Sequence, residues 1–311
     1  MPAWTVRDIS DQSGRTVVVT GANSGLGYHT VRELARRAAR VVLACRNAER
    51  GAEAVRKIRA EMPWADVHCR LVDLADLTSV RSFAEDLDVE RLDLLINNAG
   101  VMGVPRGSTR DGFETHIGIN HLGTFALTCL LLPRLLATPG SRVVGVSSVA
   151  HGMAGVDPSR LSEPGRYNRW IAYGRSKTAG LLFTRELARR LSAAKATTIA
   201  VAAHPGYVAT DLQAKAVGPD GPTLIDRMLV AGNRLVAGSP EKGALAVLYA
   251  ACAPGLAPDT YVGPRLVGRG VSTSAWRAPW ARDDQVGRRL WAESERLTGV
   301  RSPLSRTAGH R

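Results

Sequence analysis

Short apolar, β-branched runs alternate along the chain with longer stretches whose apolar positions recur every three to four residues. Residues 15–20, 40–45, 66–71, 92–96, 141–147, 197–203 and 260–262 read as strands. Residues 25–38, 48–61, 77–87, 122–136, 173–191, 240–251 and 284–297 read as helices. Asn47 offers an N-cap to the second of these and Pro63 ends it. A strand with one wet face would alternate apolar and polar residues. Most of these strands are apolar through their centres, so both faces of the sheet are expected to be covered. The pattern predicts an α/β fold with a doubly wound parallel sheet and helices on both sides.

No linker interrupts the alternation, so residues 1–311 are expected to form one nucleotide-binding domain. Two excursions break the rhythm. Residues 151–170 are rich in Gly, Pro, Arg and polar side chains, and residues 211–238 contain Gly218-Pro219 and Gly221-Pro222. Long excursions of this kind are usually loops with a function, so 211–238 is read as a lid over the substrate. Its apolar residues, Leu212, Val217, Leu224, Ile225, Met228, Leu229 and Val230, would line an apolar pocket or simply pack a helix. The tail, 264–311, is expected to be irregular outside its one helical run.

Composition narrows the function classes. Apolar residues make up 45% and charged residues 22%, which is ordinary globular usage. Lys and Arg exceed Asp and Glu by 41 to 28, giving +13. The basic residues are scattered and aromatics are only 5%, so the charge is read as a solvated surface and no nucleic-acid partner is expected. Such a surface still attracts anionic cofactors. The four cysteines, Cys45, Cys69, Cys129 and Cys252, are far apart, which excludes a local zinc motif and a disulfide framework. No metal site is expected. The most apolar run, 127–136, carries Pro133 and Arg134, so no membrane span is expected. The start lacks a secretory pattern, and the expected location is the cytoplasm.

The first strand runs into Thr20-Gly-Ala-Asn-Ser-Gly-Leu-Gly27. Gly21 suits a tight turn, Gly25 lets backbone amides approach a pyrophosphate, and Gly27 lets the helix pack closely. The helix N-terminus adds a positive dipole for phosphate. The spacing G-x-x-x-G-x-G resembles the cofactor motif of the short-chain dehydrogenase/reductase family. The resemblance implies a Rossmann-type, seven-stranded parallel sheet. It also implies nicotinamide dinucleotide contacts from Gly21, Asn23, Ser24, Gly25, Leu26 and Gly27.

At the end of the second strand an acidic residue would favour NAD. Cys45-Arg46 stands there instead, and a guanidinium pairs with a 2′-phosphate. NADP(H) is therefore favoured over NAD(H), with Arg46 as its reader and Arg50 a turn away. Asp73 and Leu74 resemble the family's adenine-contacting pair. Asn97-Asn98-Ala99-Gly100 resembles its N-N-A-G signature, which implies that Asn98, Ala99 and Gly100 line the cofactor cleft. His204-Pro205-Gly206-Tyr207-Val208-Ala209-Thr210 resembles its P-G-x-V-x-T segment. That segment implies nicotinamide or phosphate contacts from Pro205, Gly206, Val208 and Thr210.

Tyr173 and Lys177 are one helical turn apart. A free phenol titrates near 10, and a neighbouring ammonium lowers that value. Asn120, Ser148, Tyr173 and Lys177 match the family's catalytic tetrad in order and in elements. The resemblance makes Tyr173 the general acid/base and gives Lys177 the nicotinamide ribose and the tyrosine's pKa. Ser148, rather than Ser147, would polarise the substrate oxygen, and Asn120 would hold a water in a proton relay. His151 and His204 are left with structural or pocket-lining roles.

The segments Ala44-Cys45-Arg46, Asn98 to Met102, Asp111 to Glu114, Phe183 to Leu187 and Arg289 to Ser294 are similar to the retinol-dehydrogenase-like group and its bacterial members. The expected activity is hydride transfer between NADP(H) and an apolar small-molecule carbonyl or alcohol, with reduction favoured. A non-catalytic NADP-binding regulator and a protochlorophyllide-reductase-like enzyme are the alternatives. Helices 122–136 and 173–191 carry apolar residues on more than one face, which suits a homo-oligomer, dimer or tetramer.

Overall fold

The computed structural model describes residues 4–161, 167–206, 239–266 and 269–304. Its strands are β1 (Thr16–Thr20), β2 (Arg40–Cys45), β3 (Val67–Leu71), β4 (Leu94–Asn97), β5 (Arg142–Val146), β6 (Ile199–Ala203), β7 (Tyr261–Leu266) and β8 (Arg269–Ser272). They form one sheet in the order β3-β2-β1-β4-β5-β6-β7-β8. The first seven are mutually parallel, as the pattern predicts. β8 is an addition the sequence did not signal, turning back antiparallel on β7 with Gly263 opposite Ser272.

The helices are α1 (Gly25–Arg36), α2 (Ala48–Glu61), α3 (Leu77–Glu85), α4 (Thr115–Leu136), α5 (Arg169–Ala193), α6 (Pro240–Cys252) and α7 (Asp284–Thr298). The pleat of β1 shows why its run is apolar throughout. Val18 faces a core shared with α3, α4, α5 and α7, while Val17 and Val19 face a second core shared with α1, α2 and α6. Each fully buried valine contributes about 1.5–3 kcal/mol, so neither face tolerates a polar residue.

Two helices begin earlier than their apolar patterns suggest, because polar caps start them. Asn168 accepts from Trp170 N and Ile171 N, so α5 starts at Arg169 and places Tyr173 in its second turn. Glu114 accepts from His116 N and Ile117 N and starts α4 at Thr115. The extra turns of α4 include a π-helical stretch, Gly118–Gly123, which holds Asn120. Such bulges often mark functional positions.

The expectation that no segment is long and apolar enough to span a membrane is corrected by α4. Its 22 residues meet that test by length and composition, although 78% of the stretch is buried inside the fold. Pro133 sits in its last turns without ending it. One apolar face of α4 and α5 packs against α7 of the tail. Phe125, Phe183 and Trp291 of α7 stack together with centroids 5.2–5.7 Å apart, and Arg190 lies 4.4 Å over the Trp291 ring.

Candidate active site

The carboxyl ends of β1, β4, β5 and β6 converge on one edge of the sheet. β1 and β4 are neighbours although they are far apart in sequence, so the chain reverses its winding between them. Crevices at such a switch point are where open α/β sheets take ligands.

The turn after β1 has the form its glycines suggest. Gly21 and Gly25 have φ of 63° and 54°, in the left-handed region. A Cβ on Gly27 would lie 2.5 Å from Gly21 O and 2.6 Å from Asn98 Nδ2, whereas one on Gly25 would meet nothing within 4 Å. Gly27 is thus a packing contact and Gly25 faces open space. Ser24 precedes α1 in extended conformation and its hydroxyl makes no capping bond. The turn therefore offers an open cradle at a helix N-terminus, with a free hydroxyl beside it, which suits a phosphate. Asn23 and Leu26 lie in the same turn, half-buried.

Asn98 braces this cradle, its carboxamide donating to Thr20 O at 2.8 Å and Gly21 O at 3.2 Å. The Thr20 hydroxyl accepts from Asn98 N at 3.0 Å and Ala99 N at 2.9 Å. Thr20 is a structural strut that motif reading missed, because its role depends on partners just past β4. Arg46 is exposed at the end of β2, and its guanidinium makes no ion pair among the described residues. Asp73 is half-buried and its Oδ1 accepts from Ala75 N, which shapes the turn after β3. Leu74 is buried, and its carbonyl lies 2.2 Å from where a Cβ on Gly123 would sit. Gly206 follows β6 with φ of 75°, and Gly206 N donates to His204 Nδ1 at 3.1 Å. Pro205 lies between them. Val208, Thr210 and the 211–238 lid fall outside the described residues.

The tetrad residues come together from three elements. A Cβ on Gly100 would lie 2.9 Å from Asn120 Oδ1 and 3.6 Å from Lys177 Nζ, so both side chains meet at this glycine. Lys177 Nζ donates to Val146 O at 3.1 Å and lies 5.7 Å from the Tyr173 ring centre. The two serines have separate places. Ser147 donates to Lys177 O at 3.2 Å inside the fold, while the Ser148 hydroxyl faces the Tyr173 phenol.

Burial pushes the Tyr173 phenol up to about 12, against the pull of Ser148. Burial also pushes Lys177 down to about 8. The Asn120 side chain is a brace. Both its amide protons are committed, to Val101 O and Ser176 Oγ at 2.9 Å, and Oδ1 accepts from Val101 N at 2.8 Å.

Other residues about Tyr173 had no sequence signal. Trp170 and Tyr173 pack with Met102 and Ala150. His116, buried and held at Nδ1 by Glu114 at 2.9 Å, lies 6.1 Å from the Tyr173 ring. The buried Trp170 Nε1 and His116 Nε2 have no hydrogen-bond partner among the described residues. A separate open cleft of about 940 Å³ runs along β3, lined by Arg40, Arg56, Arg59 and Arg70 among others, and no tetrad residue lines it. No group of three or more His, Cys, Asp or Glu side chains that suits a metal occurs among the described residues.

The family model of the short chain dehydrogenases matches residues 15–219. The chain belongs to the short-chain dehydrogenase family. Among its members, human retinol dehydrogenase 13 is 44% identical over 299 residues, covering 94% of this chain and 87% of that one. Mouse polyprenol dehydrogenase is 45% identical over 297 residues, covering 93% and 85%. A crystal structure of an uncharacterised protein from Mycobacterium paratuberculosis is 44% identical and covers 97% of this chain and all of its own, with a TM-score of 0.81. As a short-chain dehydrogenase, the protein is an oxidoreductase built to use a nicotinamide cofactor, and the cradle after β1 fits one.

Proposed function

We propose that the protein is an NADP(H)-dependent oxidoreductase that interconverts an apolar aldehyde or ketone and its alcohol, with reduction favoured. The observation that carries this reading is the convergence of Ser148, Tyr173 and Lys177 beside the glycine cradle. The retinol and polyprenol named in two relatives are both long apolar alcohols, which supports an apolar chain on the substrate.

In this reading the phosphates rest on the amides from Gly21 to Gly27, and Arg46 takes the adenosine 2′-phosphate. When bound, the nicotinamide gives a hydride to the carbonyl carbon or takes one from the alcohol. The Ser148 hydroxyl donates to the substrate oxygen and holds it against Tyr173. In reduction the raised pKa keeps the Tyr173 phenol protonated, and it gives that proton to the oxygen as negative charge develops there. Lys177 stabilises the phenolate left behind and supplies a proton toward it. Trp170 and Met102 keep the reacting oxygen in apolar surroundings.

The test is turnover of NADPH with apolar aldehydes by wild type and by Tyr173→Phe. Loss of turnover by a factor of about 100 or more, with NADPH still bound, supports the assignment. Equal turnover by the variant removes Tyr173 from the chemistry.

A further inference from the structure

Two buried histidines lie beside the tetrad in sequence and are not used in the mechanism above. His121 follows Asn120, and His151 lies just past Ser148. Both are bonded to the C-terminal segment. His151 Nδ1 lies 2.7 Å from Ser148 O, and its Nε2 accepts from Ala278 N at 3.1 Å, across 127 residues of sequence. An amide only donates, so Nε2 is bare and Nδ1 carries the proton that Ser148 O accepts. The His151 carbonyl in turn accepts from Trp280 Nε1 at 2.9 Å and Thr178 Oγ1 at 3.0 Å. Trp276 and Tyr261 flank the ring, 5.1 and 5.8 Å away.

His121 is bonded to the tail on one side only, and its Nδ1 has no partner among the described residues. The Ser294 hydroxyl of α7 donates to Leu290 O at 2.7 Å, so it accepts from His121 Nε2 at 2.8 Å.

We propose that the segment beginning at Trp276 is a clamp that positions Ser148, with His151 as the positioning residue. The proposal rests on the reading of Ser148 as a tetrad member. Ser148 has extended backbone at the head of a short turn, and its carbonyl accepts from both His151 N, at 3.2 Å, and His151 Nδ1. That grip fixes the direction of the Ser148 side chain only while the Ala278 amide holds the far side of the ring. Apolar packing alone leaves a ring free to pivot, whereas two opposed polar bonds do not. An ångström of drift in Ser148 Oγ weakens a bond that matters most in the transition state.

The test uses the full chain. Trp280→Phe removes the indole N–H and keeps a ring. His151→Asn keeps a donor toward Ser148 and loses the acceptor for Ala278, and His151→Leu loses both. Turnover is followed with NADPH and the fastest of decanal, retinal and acetophenone, together with NADPH affinity, Tm and amide exchange at residues 147–152. The expected result is a fall in kcat of about ten-fold for Trp280→Phe and His151→Asn. His151→Leu is expected to lose about 100-fold. NADPH affinity holds, amide exchange at 147–152 quickens, and the Trp280→Phe, His151→Asn double variant is clearly non-additive.

The clamp is overturned if a folded His151→Leu protein keeps wild-type kcat. It is also overturned if kcat and NADPH affinity fall together in step with Tm. Ser148→Ala separates the two readings. An inactive Ser148→Ala with an active His151→Leu refutes the clamp alone, and an active Ser148→Ala refutes the site. Where none of the carbonyls is turned over, unchanged exchange at 147–152 in the tail variant refutes the clamp.

Discussion

Asn98 and Thr20 grip each other in both directions: Asn98 Nδ2 donates to Thr20 O at 2.8 Å, and Asn98 N donates to Thr20 Oγ1 at 3.0 Å. The pair ties the end of β4 to the end of β1 where the phosphate cradle begins. Thr20 is 1% exposed, and Thr20→Val removes the acceptor of the half-buried Ala99 amide, whereas the Asn98 amide keeps Ile96 O. The expected cost is about 1–3 kcal/mol. Urea unfolding gives the loss directly, and an unchanged midpoint would show that the hydroxyl is dispensable.

Gly25 and Gly27 differ in what substitution breaks. Gly27→Ala drives a methyl against Gly21 O and Asn98 Nδ2, so the fold is expected to lose about 1–3 kcal/mol. Gly25→Ala meets no atom within 4 Å but must hold φ of 54°, which costs about 1–2 kcal/mol. Its new methyl occupies the open space assigned to phosphate. Cofactor titration beside unfolding curves should therefore show affinity falling further than stability for Gly25→Ala, and the reverse for Gly27→Ala.

Arg46 stands exposed at the end of β2, with no acidic side chain claiming its guanidinium among the described residues. A hydrogen bond to a charged group contributes about 1.5–3 kcal/mol. Arg46→Ala should weaken NADPH by roughly ten- to a hundred-fold and leave NADH unchanged. Calorimetric titration at fixed salt checks this, and equal binding of both cofactors by wild type would remove Arg46 from its role.

The buried Lys177 links activity and stability to pH with opposite signs. Its ammonium titrates at about 8 in the fold against 10.5 in the free side chain. Between those values the unfolded chain holds a proton that the folded chain has lost, so the Lys177 contribution to stability rises with pH. The ammonium that serves Tyr173 is lost over the same rise, so reductive kcat/KM should fall above about pH 8. Tyr173 titrates higher still, at about 12, and stays protonated throughout. Lys177→Met should lose activity at every pH, and the stability of wild type relative to it should climb from pH 8 to 10.5. A flat difference across that window would mean the lysine is not desolvated.

The sequence by itself determined the sheet, the glycine turn and the order of the tetrad. Apolar strands such as 15–20 have no stable place except between two layers of helices, so their pattern implies their burial. Gly21 and Gly25 announce positive φ because other residues are strained there. Tertiary structure alone decided whatever depends on partners distant in sequence. Nothing near Tyr173 or Lys177 in sequence reveals how deeply each is desolvated, and burial raises the phenol and lowers the ammonium. Asn120 could not be read as a brace without Val101 and Ser176 beside it. His121 and His151 read as spare histidines until the fold carried Ser294 and Ala278 up to them. Local pattern records what a residue needs from its neighbours in the chain, and long-range contact decides which of its remaining atoms are still free to act.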